Sequence, residues 1–461
     1  MVGKSAFLSI FVDFTGLFCY YSNMLKRKML DFLLNWKSTK EKECLIIKGA
    51  RQVGKTFIIE EFGKTYPNFV EINFLFNSSF KDAFNGDLTV DNIILLLSSK
   101  IKNAKFIPHK TLIFFDEIQV CPKARTALKA FAIDGRYDVI ASGSLLGLSF
   151  GQDTEIKEEI TSIAVGYEKE IKMLPMDFEE FLWALGVEDD LIKSLDKYKN
   201  GLEHIPDAIS NMLSEYLLKY IVVGGMPAVV DKFIKKNNYS IVHDEQVKIL
   251  NAYEDDVMKH APYTEKNKIK SCFKSIPAQL AKENKKFQYS FVEKKSTAKK
   301  YKNSLAWLSD VGIINLCHNV STPSFPLISY EEENVFKAYV NDIGLLISMY
   351  GYDMKSAILN KKLQGAMKGG VYENLISCML LSKNYSLNYY KPKENTQEIE
   401  FLISKDTNII PIEVKSKNGE TKSLNDYIKT FKPETAYKLI DGNCGNSNNK
   451  ITLPHYMTMF L

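Results

Sequence analysis

LIIKGARQVGKTFIIEEF, Leu45 to Phe62, sets the pattern G-x-x-x-x-G-K-T between an apolar run and a helix-like stretch. The chemistry of phosphate binding dictates that spacing. Gly49 and Gly54 let the backbone curl, so that the N–H groups of Gly49, Ala50, Arg51, Gln52, Val53, Gly54, Lys55 and Thr56 form a cradle, with the positive end of the following helix adding to the attraction. Lys55 is placed to reach the β- and γ-phosphates, and the Thr56 hydroxyl to ligate Mg2+. By chance the four specified letters arise in about one chain in a hundred of this length. The context is also right, since Cys44 to Ile47 reads as a buried strand and Phe57 onward as an amphipathic helix. The expected ligand is a nucleoside triphosphate, ATP, with Mg2+.

A second apolar run, TLIFFDEIQ from Thr111 to Gln119, ends in adjacent carboxylates, as a strand buried in a parallel sheet does at its carboxyl end. Asp116 would hold the Mg2+ shell, and Glu117 would orient and deprotonate the attacking water. A third run, DVIASGSLL from Asp138, offers Ser142 and Ser144 either as sensors of the γ-phosphate or as polar residues closing a strand. Further strands are expected near Glu71 to Phe74 and Glu168 to Leu174. The alternation suits a doubly wound parallel sheet, an α/β fold with the nucleotide at the strands' carboxyl ends. DFEEFLWALG, from Asp177, reads as a capped helix closed by glycine.

Beyond Leu191 the pattern is mostly helical and is broken by VVGGMPAVV, Val222 to Val230, where Gly224, Gly225 and Pro227 force a tight turn. From Lys266, FQYSFVEKKSTAKKYKNSLAWLSDVGIINL resembles a winged helix, with Ser296 capping a helix that carries Lys299, Lys300 and Lys302. Those lysines suit phosphate contact, and equally a solvated face. In the carboxyl part, VYENLISCMLL places Glu373 early on a helix, EIEFLIS places Glu400 within a strand, and IIPIEVKS ends a strand in Glu413 and Lys415. Residues two apart share a strand face, and a turn through Lys405 to Asn408 would pair the two strands, bringing the carboxylates and the lysine together. Glu-x-Lys alone is common on exposed strands. The ordered set of three elements carries the signal.

GARQVGKT, FFDEIQ, SGSLLG, LPMDFEEFLWALG, YIVVGGMPAVV, WLSDVGII, DIGLL, VYEN and PIEVKS stand in the order that resembles the prokaryotic AAA-family ATPases with an uncharacterised C-terminal domain of nuclease-like signature. The resemblance implies an ATPase core over 24–190, a helical lid or linker over 191–265, a winged-helix-like module over 266–325 and a domain similar to the PD-(D/E)XK nucleases over 326–461. For that last domain it implies Mg2+ on Glu400 and Glu413, with Glu373 as an added ligand and Lys415 activating water. Glu400 stands where aspartate is common. The implied partners are ATP, DNA through the two last units, and further copies of the chain. Many relatives carry Gly-Arg where this chain has Gly166-Tyr167, so if that arginine is a finger this chain uses another or none, and nearby Arg125 and Arg136 read either as candidates or as plain surface arginines. A binding switch, in which the terminal units only engage DNA or protein in different nucleotide states, is the alternative to a coupled nuclease. A small-molecule kinase would use the same cradle, but adjacent Asp116 and Glu117 fit water activation better.

The remaining composition narrows the class. The chain has 461 residues, 60 basic and 55 acidic, for a net charge of +5, too small to establish a nucleic-acid partner. Seven cysteines are dispersed without a C-x-x-C pair, which argues for reduced thiols in a cytoplasmic protein and against a zinc site. No long apolar span suggests a membrane segment. Residues 1–23 contain a short apolar stretch interrupted by Asp13 and read as an upstream extension, with Met24 opening a basic amphipathic helix; a buried strand or a weak interfacial segment is the alternative.

Overall fold

The structure, a computed structural model, describes residues 24–40, 42–144, 166–392, 397–415, 421–447 and 449–461. The expected N-terminal extension, the side chain of Ser144, the end of SGSLLG and Ser416 lie outside the described residues.

Helix α1 (Lys28–Ser38) leads into strand β1 (Cys44–Gly49), followed by α2 (Lys55–Gly63), β2 (Asn68–Asn73), α3 (Val90–Lys100), β3 (Thr111–Asp116), α4 (Pro122–Asp134), β4 (Asp138–Ser144) and β5 (Glu168–Lys172). The strands form one parallel sheet in the order β2-β3-β4-β1-β5. Alternation explains why these runs are apolar throughout. Leu45, Ile47, Leu112, Phe114 and Ile140 point into one core with Leu33, Ile59 and Phe62. Their neighbours Ile46, Ile113, Phe115, Val139 and Ala141 enter a second core with Ile93, Leu97, Leu128 and Phe131. Helices cover both faces, so the interior strand β3 is buried along its whole length, while the edge strand β5 keeps Lys169, Glu170 and Lys172 exposed.

Helix α5 (Phe178–Ala184) starts with a full capping box, Asp177 accepting from the Glu180 N–H and Glu180 from the Asp177 N–H. It is followed by α6 (Asp189–Ser194), α7 (Asp207–Val223), α8 (Pro227–Lys236) and α9 (Tyr239–His260). The α7–α8 junction is more than a turn. A Cβ on Gly225 would lie 1.9 Å from the Met176 carbonyl oxygen, and one on Gly224 2.2 Å from Asp342 Oδ1. The glycines let three units of the chain meet at backbone distance.

Next come α10 (Lys266–Leu280), α11 (Ala298–Asp310) and the antiparallel hairpin β6 (Ile314–Val320) and β7 (Glu331–Val340), where the sequence suggested a wing. Ser296 is not the cap of α11. Thr297 holds that position, and the Ser296 hydroxyl donates to the Tyr289 carbonyl instead. The chain continues through α12 (Ile343–Met349), α13 (Tyr352–Leu359), α14 (Gly365–Ser382), β8 (Asn388–Tyr390), β9 (Ile399–Lys405), β10 (Asn408–Val414), α15 (Lys422–Phe431), β11 (Ala436–Ile440), β12 (Gly445–Ser447) and β13 (Lys450–Pro454). The second sheet is mixed, in the order β12-β13-β11-β10-β9-β8-β6-β7. The wing is therefore the edge of the carboxyl-terminal sheet, and the expected division at 325/326 falls inside the β6–β7 hairpin. The β9–β10 turn sits at Asp406 and Thr407, both with positive φ, as a two-residue hairpin requires.

Candidate functional site

The cradle closes as its spacing demands. Gly54 has φ of 92°, and a Cβ on Gly49 would come within 2.4 Å of the Met173 carbonyl oxygen. Lys55 Nζ donates to the carbonyls of Gly49 and Ala50, each at 2.9 Å, holding the loop in shape. Burial pushes its pKa down to about 8, with Glu117 and Asp116 pulling the other way. A nearby phosphate would restore the charged form.

Strand order brings the rest together. Because β4 lies between β1 and β3, the ends of all three meet beside the cradle. Asp116 is buried, accepts from Thr56 Oγ1 at 3.5 Å and from the Ser142 hydroxyl, and takes the Asn73 amide at 2.8 Å on its other oxygen. Burial raises its pKa, opposed by the Ser142 hydrogen bond. Two hydroxyls and a carboxylate at the mouth of a phosphate loop form the hard oxygen set that suits Mg2+. Glu117 follows in a left-handed conformation, φ 57°, and its carboxylate accepts from the Gln119 amide. The turn aims Glu117 away from the strand axis, beside Asp116.

Four participants carried no sequence signal that stood out. Asn73 pairs in register with Asp116 across β2 and β3. Gln119 holds Glu117. Arg27, from the lead-in to α1, is buried and donates to Val53 O at 3.0 Å, Leu174 O at 2.8 Å and Glu180 at 3.1 Å, tying the cradle to the capping box. Asp256 of α9 pairs with Arg51 at 2.8 Å. A cleft of about 510 Å3 opens beside the loop between Leu25, Gln52 and Phe57 on one side and Pro227 and Asp231 on the other.

Both expected finger candidates are engaged elsewhere. Arg125 is clamped to Glu168 at 2.6 Å and Glu170 at 2.9 Å on β5, and Arg136 to Asp134 and Asp91, each at 2.7 Å, at the entry of β4. The lysines of α11 are also partly committed, Lys300 to Glu293 and Lys302 to Glu333.

In the second sheet, Glu400 and Glu413 face one another one position beyond the paired Phe401 and Ile412. Lys415 Nζ bridges them, 3.0 Å from Glu413 and 3.5 Å from Glu400, and the Val414 N–H donates to Glu400 at 3.2 Å. Burial pushes the Glu400 pKa up to about 7 and raises that of Glu413 as well, against the pull of Lys415. One Glu413 oxygen is buried without a hydrogen-bond partner. Glu373 is near enough to act on the Glu400 charge and is itself paired with Lys285 at 3.0 Å, Lys337 at 3.0 Å and the Tyr339 hydroxyl at 3.0 Å, while Lys337 also pairs with Glu398 at 2.5 Å. Among the described residues, no three histidine, cysteine, aspartate or glutamate side chains gather as a metal set. The six cysteines among them are free thiols.

The parallel sheet, the cradle and the acidic strand end give residues 41–182 the architecture of an AAA-type P-loop ATPase domain. Comparison agrees for that part: residues 41–182 match the model of an AAA domain, while 214–356 and 368–453 each match a domain of unknown function, DUF8612 and DUF4143. Among solved structures, a Walker-type ATPase of Pyrococcus abyssi is similar at 14% identity with a TM-score of 0.38, over 71% of this chain and 96% of that one. AMPPCP-bound DnaA from Aquifex aeolicus follows at 11% identity and a TM-score of 0.26, over 61% and 86%. Drosophila ORC bound to DNA has 11% identity and a TM-score of 0.24, over 72% and 84%. No curated protein matches the sequence. No helix among the described residues is long and apolar enough to cross a membrane.

Proposed function

We propose that the chain hydrolyses ATP with Mg2+ and uses the nucleotide state to govern a nuclease-like carboxyl-terminal domain acting on DNA. The observation that carries the ATPase half is the convergence of Lys55, Thr56, Asp116, Glu117 and Ser142, drawn from three strand ends, at one mouth. Thr56 and Asp116 would hold Mg2+, which supplies charge neutralisation on the phosphates when bound. Glu117 orients the water and takes its proton, and Ser142 fixes the Asp116 carboxylate. The cleft between Leu25, Phe57 and Pro227 has apolar walls suited to the base, with Asp231 available to accept from an exocyclic amine.

The helix–strand–strand–strand–helix–strand order of α14, β8, β9, β10, α15 and β11 supports the nuclease-like reading, with Glu400, Glu413 and Lys415 in one place. The unpartnered Glu413 oxygen and the raised pKa of Glu400 fit a site short of positive charge, as two ligands of a divalent ion would be. A specific observation favours the second reading, a nucleotide-driven switch that binds DNA or protein without cutting: Glu373 is already neutralised by Lys285 and Lys337.

The test is incubation of the full chain with supercoiled, linear and single-stranded DNA, Mg2+ or Mn2+, with and without ATP, beside Lys55→Ala and Lys415→Ala. Metal-dependent cutting lost in Lys415→Ala supports the coupled nuclease. ATP turnover without any cutting supports the switch, and ATP turnover by Lys55→Ala at the wild-type rate refutes the assignment of the cradle.

A further inference from the structure

Arg125 and Arg136 are held on the flanks of the sheet and Arg27 is buried and engaged on three acceptors, which leaves Arg51, partly open, as the last of the chain's four arginines. Arg51 is built into the cradle itself, two residues beyond Gly49. Its guanidinium Nη1 lies 2.8 Å from Asp256 Oδ1, and its carbonyl accepts from the Tyr253 hydroxyl at 3.4 Å. Both partners come from the last turns of α9, so one helix fixes the residue at backbone and side chain together. The Asp256 side chain is 5% exposed and the Arg51 side chain 38%, so the acid is sunk in the protein while part of the guanidinium fork stays open. Burial pushes the Asp256 pKa up to about 6, and the Arg51 guanidinium opposes that by stabilising the carboxylate, which favours this pose of Arg51. Lys55, whose ammonium grips the carbonyls of Gly49 and Ala50, stands directly alongside. The charges of Glu117 and Arg51 are both felt at Asp256 and at His260, which puts the end of α9 over the same space as the expected base.

We propose that Arg51 is a ligand of the γ-phosphoryl group supplied by the same chain, and that Asp256 is the positioning residue that aims it. The inference rests on the reading of the site as an ATPase. As water attacks the γ-phosphorus and gives its proton to Glu117, the bond to the bridging oxygen breaks and ADP leaves with the electron pair. The planar guanidinium, one edge on Asp256, neutralises the charge growing on the γ and bridging oxygens.

The same contacts connect the site to the carboxyl-terminal sheet. The Tyr253 hydroxyl accepts from Asn341 Nδ2 at 3.4 Å, at the end of β7. The next residue, Asp342, caps α12 by accepting from Leu345 N at 2.9 Å and takes the Gly225 N–H at 2.6 Å. A chain of contacts thus runs from Arg51 through Tyr253 and Asn341 to Asp342 and the α7–α8 junction.

The experiment compares wild type, Lys55→Ala, Arg51→Ala, Arg51→Lys and Asp256→Asn in the full chain. It measures kcat, KM, and the affinities for ADP and for ADP with aluminium fluoride. Arg51→Ala should lower kcat about a hundredfold or more, since an arginine on this transition state is worth about 10^3–10^5. It should keep ADP affinity within about threefold and lose the extra affinity conferred by aluminium fluoride. Asp256→Asn should lower kcat about tenfold with KM little changed. Arg51→Lys keeps the charge without the fork and should stay well below wild type, and it carries the test if the alanine variant fails to fold. Wild-type kcat and aluminium fluoride binding in Arg51→Ala, with Lys55→Ala inactive, would overturn the role of Arg51 and leave the ATPase reading standing. Absence of ATP turnover in the wild type would overturn that reading itself.

Discussion

At the residue scale, the site depends on which atoms remain available once the sheet is packed. Asp116 spends one oxygen on Asn73 and shares the other among Thr56, Ser142 and the Glu117 N–H, so it is fixed in a single pose before any ligand arrives. Glu117 accepts from the Gln119 amide and, on the ATPase reading, is the group left to act on water. Glu117→Gln should therefore leave ATP binding intact while lowering kcat about 10^2–10^4-fold, read by turnover beside nucleotide affinity. The place of this pair beside the cradle was legible beforehand, since both motifs end strands of one parallel sheet. Asn73 and Gln119 were not, because a single amide has meaning only through the group it touches.

At the element scale, short-range rules predicted the strands and most helices. The hairpin β9–β10 was expected from two apolar runs around a four-residue turn, and the capped helix after Pro175 from Asp177 with Glu180. Ser296 failed as a cap because its hydroxyl found the Tyr289 carbonyl, a tertiary partner that outcompetes a helix N–H. The double glycine illustrates the same limit, since its turn was readable but its close approach to Met176 and Asp342 was not. Gly225→Ala should destabilise the protein by about 3 kcal/mol, because the facing atom is a backbone oxygen that cannot rotate away; denaturant midpoints would measure it. Glu373, which the resemblance implies as an added metal ligand, meets Lys337, a lysine with 0% exposure. Glu373→Ala should cost about 1.5–3 kcal/mol, since it removes charge-assisted bonds from Lys285 and Tyr339 but leaves Lys337 paired with Glu398, and denaturant midpoints would measure it.

On the scale of the whole molecule, packing of the last helical turn against α14 adds a pH response. His455 stacks on Tyr372 with ring centroids 4.3 Å apart, and one of its ring nitrogens has no hydrogen-bond partner. Burial, aided by Lys368, lowers its pKa from 6.5 to about 3. Below pH 6.5 the unfolded chain binds a proton that the folded one refuses. Stability is therefore lost as pH falls from 6.5 toward about 3, by at most about 1.4 kcal/mol per pH unit from this group. His455→Gln should flatten that limb in urea titrations across the window, and parallel curves for variant and wild type would refute the assignment.

Spacing along the chain was enough for the cradle, the acidic strand end, the parallel sheet and the Glu400, Glu413 and Lys415 cluster, because each rests on periodicity or on neighbours within a hairpin. It could not say that the wing belongs to the carboxyl-terminal sheet, that Glu373 is neutralised, or that Arg51 is gripped by α9. Those contacts join residues far apart in the chain, 202 positions in the case of Tyr253 and Arg51 and 153 in that of Arg27 and Glu180. Burial decides them: a charge withdrawn from water must find whichever opposite charge the packing delivers, and no local pattern records which one that is.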